Sequence, residues 1–167
     1  MGELPTFNYL NSLLRYEPNT GFLYWKIRGR GRRQGIPVGG INSYGYVQIS
    51  IDYERFSGHR LAWLLSTGRW PFAEIDHINH NKKDNRLINL RESTRSENKR
   101  NVLLQANNTS GLQGVNFNKE KNKWQVRIKI MGVAKHLGWF NTLDEAKQHR
   151  LRAEKNYYGD FAPNRSY

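Results

Sequence analysis

Apolar residues recur along this chain with two different periods, and the changes of period mark the elements. Over residues 4–14, Leu4, Phe7, Leu10, Leu13 and Leu14 fall near helical spacing and predict a short amphipathic helix. Pro18-Asn19-Thr20-Gly21 is a turn signal, and residues 22–27 read as a strand after it. From Gly45 to Phe56 the period is two. Val47, Ile49 and Ile51 share one face and Tyr46, Gln48 and Ser50 the other, which predicts a hairpin turning near Asp52 or Tyr53. Residues 59–67 read as a buried helix stopped by Gly68 and Pro71. A short strand over 74–78, a turn-rich run over 79–85 and a returning strand over 87–91 come next. Thr94 and Glu97 form the pattern T-x-x-E, so a helix starts near Arg95.

A second unit is expected after a polar linker. Residues 114–118, 123–130 and 135–140 read as three strands. In the middle one, Trp124, Val126, Ile128 and Ile130 share a core face, and Gln125, Arg127 and Lys129 share an exposed basic face. Thr142 and Glu145 repeat the capping pattern. A helix then runs to about Tyr158 with Gly159 as its stop, facing the core with Leu143, Ala146, Ala153 and Tyr157.

Composition narrows what such a chain can do. Its 167 residues allow one domain or two small ones, and the lack of cysteine excludes disulfides and thiolate zinc sites. No apolar run is long enough to span a membrane, and the first residues lack a secretory pattern, so a soluble, cytoplasmic protein is expected. Net charge is +13, with both 1–105 and 106–167 basic. Charge of this kind favours a nucleic acid partner, DNA ahead of RNA. Arg28, Arg30, Arg32 and Arg33 alternate with glycine in a loop suited to phosphate contact; the same run also fits a disordered basic loop.

Candidate chemistry concentrates between Asp76 and Asn101. Asp76 and Asn98 offer hard oxygen donors that suit one Mg²⁺ or Mn²⁺ per site. His77 is placed to take a proton from water near neutral pH. Asn89 is expected to tie the loop and help orient His77. Arg91 fits either a phosphate contact or a surface ion pair. His59 reads as a packing or phosphate-binding residue rather than a metal ligand, and His80 as a turn residue.

The stretch DHINHNKKDNRLINLR through SENKRN resembles the HNH endonucleases, in the Asn-ending branch of phage and homing enzymes. YEPNTGFLYW, NSYGYVQI and GHRLAWLLSTGRWP extend the resemblance upstream. It implies metal binding by Asp76 and Asn98, a general base at His77, loop support from Asn89, and phosphodiester hydrolysis leaving a 5′ phosphate and a 3′ hydroxyl. Asn98 stands where many members have His, which points away from zinc. Farther along, SGLQGVNFN, KWQVRI, HLGWFNTLDEAKQHRLRAE and FAPN are similar to the plant ethylene-response-factor (Apetala-type) DNA-binding domain. That similarity implies DNA contacts by Gln113, Asn116, Arg127, Lys129 and His136. Gln113, Asn116 and His136 depart from the plant pattern, so the plant target does not carry over.

The expected fold is α+β. A ββα-metal nuclease domain with an N-terminal hairpin and helix extension spans 1–105, with its core motif at about 73–105. A linker covers 106–109, and a three-stranded sheet packed on one helix covers 110–164. The expected function is nicking or cutting of double-stranded DNA by a phage free-standing homing-type enzyme. A DNA-binding regulator with an inert motif is the alternative. An RNA-binding protein ranks third, since the deep, narrow groove of A-form RNA does not admit such a sheet. No protein partner is implied, and oligomeric state is not legible.

Overall fold

Thr6 opens helix α1 (Phe7–Leu13), its hydroxyl accepting from the Tyr9 N–H at 3.3 Å. The computed structural model describes residues 3–99, 104 and 107–163. The spacing over 4–14 predicts a longer helix. Instead Leu14 turns extended, with φ −119°, and begins strand β1 (Leu14–Glu17), antiparallel to β2 (Phe22–Trp25). Leu13 and Leu14 are both buried, so a change of element, not a helix face, places the two side chains in the core. Between β1 and β2, Gly21 adopts φ +75°. A Cβ there would lie 2.5 Å from the Arg86 nitrogen, so glycine is what lets the 85–86 backbone come so close.

Strands β3 (Gly40–Ile41), β4 (Val47–Ile51) and β5 (Glu54–Ser57) form an antiparallel sheet in that order. The hairpin turns where the alternation ends, with Asp52 and Tyr53 at φ 48° and 68°. Helix α2 (Gly58–Thr67) follows without a loop and stops at Gly68, φ 76°. Ile49, Ile51 and Phe56 pack with Leu10, Leu14, Leu61 and Leu64 in the main core. Each fully buried leucine stabilises the fold by roughly 1.5–3 kcal/mol.

The next hairpin, β6 (Glu74–His77) and β7 (Leu90–Ser93), aligns Asp76 with Arg91 and His77 with Leu90. Ile75 and Leu90 pack on Ala62 of α2, which fixes the hairpin to the main body. The returning strand starts at Leu90, later than the sequence predicts. Leu87–Asn89 is a 3-10 turn instead, because the Asn89 side chain is spent closing the loop and Ile88 is exposed.

The chain divides into two units, Met1–Ser93 and Thr94–Tyr167. The linker expected at 106–109 falls within the second unit. Residues 100 and 101, which end the Asp76–Asn101 stretch, and residues 102, 103, 105 and 106 lie outside the described residues. The second unit opens with α3 (Arg95–Asn98), where both halves of the Thr94–Glu97 capping box are made. Strands β8 (Val115–Asn118), β9 (Lys123–Ile130) and β10 (Val133–Phe140) form an antiparallel sheet, order β10-β9-β8. Helix α4 (Leu143–Tyr158), capped by Thr142 and Glu145, packs on it. Tyr157 is exposed, whereas Tyr158 is buried, its hydroxyl donating to the Lys129 carbonyl at 2.9 Å. The same helix face buries an ion pair, Arg150–Glu154 at 2.9 Å, which apolar spacing could not reveal. The fold is α+β, as expected.

Candidate active site

Asp76 and His77 close strand β6, and both are buried at 5 % exposure. Asp76 faces Arg91 across the hairpin. The guanidinium donates to Asp76 Oδ2 from Nε at 3.0 Å and from Nη2 at 2.8 Å. The register that aligns the two residues sets this pair, and with side chains 16 % and 6 % exposed it is not a surface one. Of the two roles open to Arg91, the structure therefore shows an ion pair. It holds Asp76.

His77 meets the main body. Its ring lies edge-on to His59 of α2, centroids 5.2 Å apart at 84°, and 5.8 Å from the ring of Tyr46. Tyr46 also touches His59 at 5.2 Å. Packing is thus what the structure shows for His59. Burial, then the neighbouring His77 and Arg60, push the His59 imidazole down to about 3, so it stays neutral. Burial also lowers His77, against the opposing pull of the Asn85 hydrogen bond and of the charges on Asp76 and Asp84. Burial raises the Tyr46 phenol, and the charges of Asp76 and Glu74 add to it. Asp76 therefore acts electrostatically on both rings.

Asn85 meets His77 by hydrogen bond, with Oδ1 3.2 Å from Nε2. The sequence points to Asn89 for that role. Asn89 does tie the loop: its Oδ1 accepts from the Asn79 N–H at 2.9 Å and its Nδ2 donates to the Asp84 carbonyl at 2.8 Å. Neither bond reaches His77. Asp84 completes the closure, taking Asn79 Nδ2 at 2.9 Å and Arg86 Nη2 at 2.6 Å, and Arg86 holds its carboxyl down at about 2. His80, at φ 62°, is a turn residue as expected. Nothing local marks Asn85 or His59. One asparagine in a turn looks like any other, and His59 reaches His77 only through packing of α2 on the hairpin.

The remaining candidates belong to other elements of the chain. Asn98 ends α3 in the second unit. In the Arg-Gly loop, Arg28 donates to Gln34 at 3.2 Å, while Arg32 pairs with Asp52 at 3.3 Å and stacks over Trp25; Arg30 and Arg33 are exposed. In the second unit, Gln113, Asn116, Arg127, Lys129 and His136 are all exposed. Arg95, Lys99, Arg127 and Lys129 line a cavity of about 460 Å³, and none of them pairs with a carboxylate among the described residues.

Residues 58–100 match the sequence pattern of a family described as HNH endonuclease. The chain is similar to Protein 3.8 of Escherichia phage T7, with 31% identity over 105 residues that cover 62% of this chain and 86% of that one. It is also similar to an uncharacterized HNH endonuclease of Acanthamoeba polyphaga mimivirus, at 29% over 129 residues, 75% of this chain and 65% of that one. A solved structure of DNA binding and cleavage by the HNH homing endonuclease I-HmuI aligns with a TM-score of 0.41 at 20% identity, over 81% of this chain and 78% of that one.

Proposed function

The chain belongs to the HNH endonuclease family, and from that premise we propose that it hydrolyses phosphodiester bonds in double-stranded DNA as a free-standing homing-type enzyme, leaving 5′ phosphate and 3′ hydroxyl ends. One observation carries the reading. A carboxylate and an imidazole stand side by side at the end of β6, both buried, each with a fixed partner. Burial keeps His77 neutral near neutral pH, which leaves it able to take the proton of an attacking water. Arg91 fixes the Asp76 carboxylate, and Asn89 holds the loop beneath.

In this reading Asp76 would supply a hard carboxylate oxygen, and the sequence motif assigns a second oxygen donor to Asn98. A single Mg²⁺ or Mn²⁺ needs only one or two carboxylates, with water and substrate phosphate completing its shell, and the buried Asp76 carboxylate would supply one. When bound, the ion would stabilise charge on the scissile phosphate and the leaving 3′ oxygen. DNA would be held by Arg28, Arg30, Arg32 and Arg33 in the first unit. In the second, Gln113, Asn116, Arg127, Lys129 and His136 would contact it, with Arg95 and Lys99 adding positive charge.

Supercoiled plasmid incubated with Mg²⁺ or Mn²⁺ tests the reading. Nicking should disappear in His77→Ala and in Asp76→Ala, and on chelation, while His77→Ala still shifts DNA on a gel. Nicking retained by His77→Ala overturns the assignment.

A further inference from the structure

We propose that Asn85 is a positioning residue for this reaction: it holds the ring of His77 and commits Nε2 to carrying the proton, which makes Nδ1 the nitrogen that accepts. The inference rests on the reading of His77 as the base.

The argument starts from the contact. Asn85 Oδ1 lies 3.2 Å from His77 Nε2, and Asn85 is 2 % exposed. A carboxamide oxygen only accepts, so Nε2 must donate to it. A neutral imidazole carries one N–H, so the lone pair then belongs to Nδ1. Were the amide reversed, its NH₂ group would donate to Nε2 and the N–H would sit on Nδ1, the nitrogen pointing away from Asn85. A base working through Nδ1 requires the first arrangement.

Loop closure does not account for Asn85. Asn79, Asp84, Arg86 and Asn89 already close the loop among themselves. The Asn85 side chain makes its hydrogen bond to His77 and to no other described residue. Three distant elements fix where it sits. Tyr16 of β1 donates to the Asn85 carbonyl at 3.0 Å and accepts from the Leu87 N–H at 3.0 Å. Gly21 leaves room for the backbone, since a Cβ there would lie 2.7 Å from the Asn85 carbonyl carbon. Gly58, at the start of α2, leaves room for the amide, since a Cβ there would lie 2.9 Å from Asn85 Nδ2. The His77 ring also packs against the edge-on ring of His59. With the Asn85 backbone tied by Tyr16 and seated against Gly21, and its amide against Gly58, the amide and the imidazole keep one relative orientation.

The test uses the full chain labelled with ¹⁵N-histidine. Long-range nitrogen correlation spectra near neutral pH should show His77 with a protonated Nε2 and a bare Nδ1, in wild type and in Asn85→Asp, which keeps an acceptor in the same place. In steady-state plasmid nicking, Asn85→Ala should lower kcat by about 10-fold to 100-fold, part of the roughly 10²–10⁴-fold that a placed general base contributes. KM should stay within about 2-fold, because the buried Asn85 is not among the proposed DNA contacts, and Asn85→Asp should restore most of the rate. A protonated Nδ1 in wild type overturns the proposal, and so does a folded Asn85→Ala that nicks at the wild-type kcat. If Asn85→Ala does not fold, the wild-type spectrum and Asn85→Asp decide. A wild-type chain that leaves DNA intact would overturn the proposed function, and the nitrogen spectrum would still decide the tautomer.

Discussion

Lowering the pH from 7 to 5 should destabilise the first unit by about 2 kcal/mol through His59 alone. In the unfolded chain this imidazole titrates near its ordinary 6.5. In the folded chain burial holds it at about 3, helped by His77 and Arg60, while Tyr46 covers a further side. Between those two values the unfolded chain binds one more proton than the folded chain does. The stabilisation is therefore complete above about pH 6.5 and is lost progressively as pH falls toward 3. At about 1.4 kcal/mol per pH unit, the interval from 6.5 to 5 accounts for the 2 kcal/mol. His59→Phe keeps a ring against His77 and removes the proton. Urea unfolding of both proteins at the two pH values, followed by tryptophan fluorescence, reads the effect; Trp25, Trp63 and Trp70 report on the first unit. Wild type should lose about 2 kcal/mol more than the variant between pH 7 and pH 5. Equal losses would refute the reasoning.

Other substitutions probe the supports of the site and the basic faces. Arg91→Leu leaves the Asp76 carboxylate buried without its guanidinium and should cost about 3 kcal/mol in urea unfolding; a loss under about 1 kcal/mol would mean that the pair does not hold the hairpin. Gly21→Ala forces a side chain onto backbone at positive φ. It should cost at least about 2 kcal/mol and lower the nicking rate by moving Asn85; an unchanged melting temperature would show that the loop yields freely. Arg127→Ala combined with Lys129→Ala should weaken DNA binding at every sequence and flatten the plot of log affinity against log salt by about 2. An unchanged slope would remove that strand face from the DNA contacts.

Local rules made much of the fold legible. Period-two alternation placed the β4–β5 hairpin and its turn at Asp52-Tyr53, and the three strands of the second unit. T-x-x-E placed the starts of α3 and α4, because a capping box is written within four residues. The short DH-to-SEN stretch pointed to the family because its chemistry lies close together in sequence. Other features depended on packing between distant segments. Leu14 leaves its helix to pair with Trp25, and Tyr158, not Tyr157, reaches the sheet. The site followed the same division. Asp76 and His77 were visible as adjacent residues, but strand register alone decided that Arg91 holds the aspartate, and only the approach of α2 and the glycine-lined loop brought His59 and Asn85 to the imidazole. The sequence determined which chemical groups this protein has and the local elements that carry them. The tertiary structure decided which of them face one another, because burial and hydrogen bonding act across distances in space that spacing along the chain does not encode.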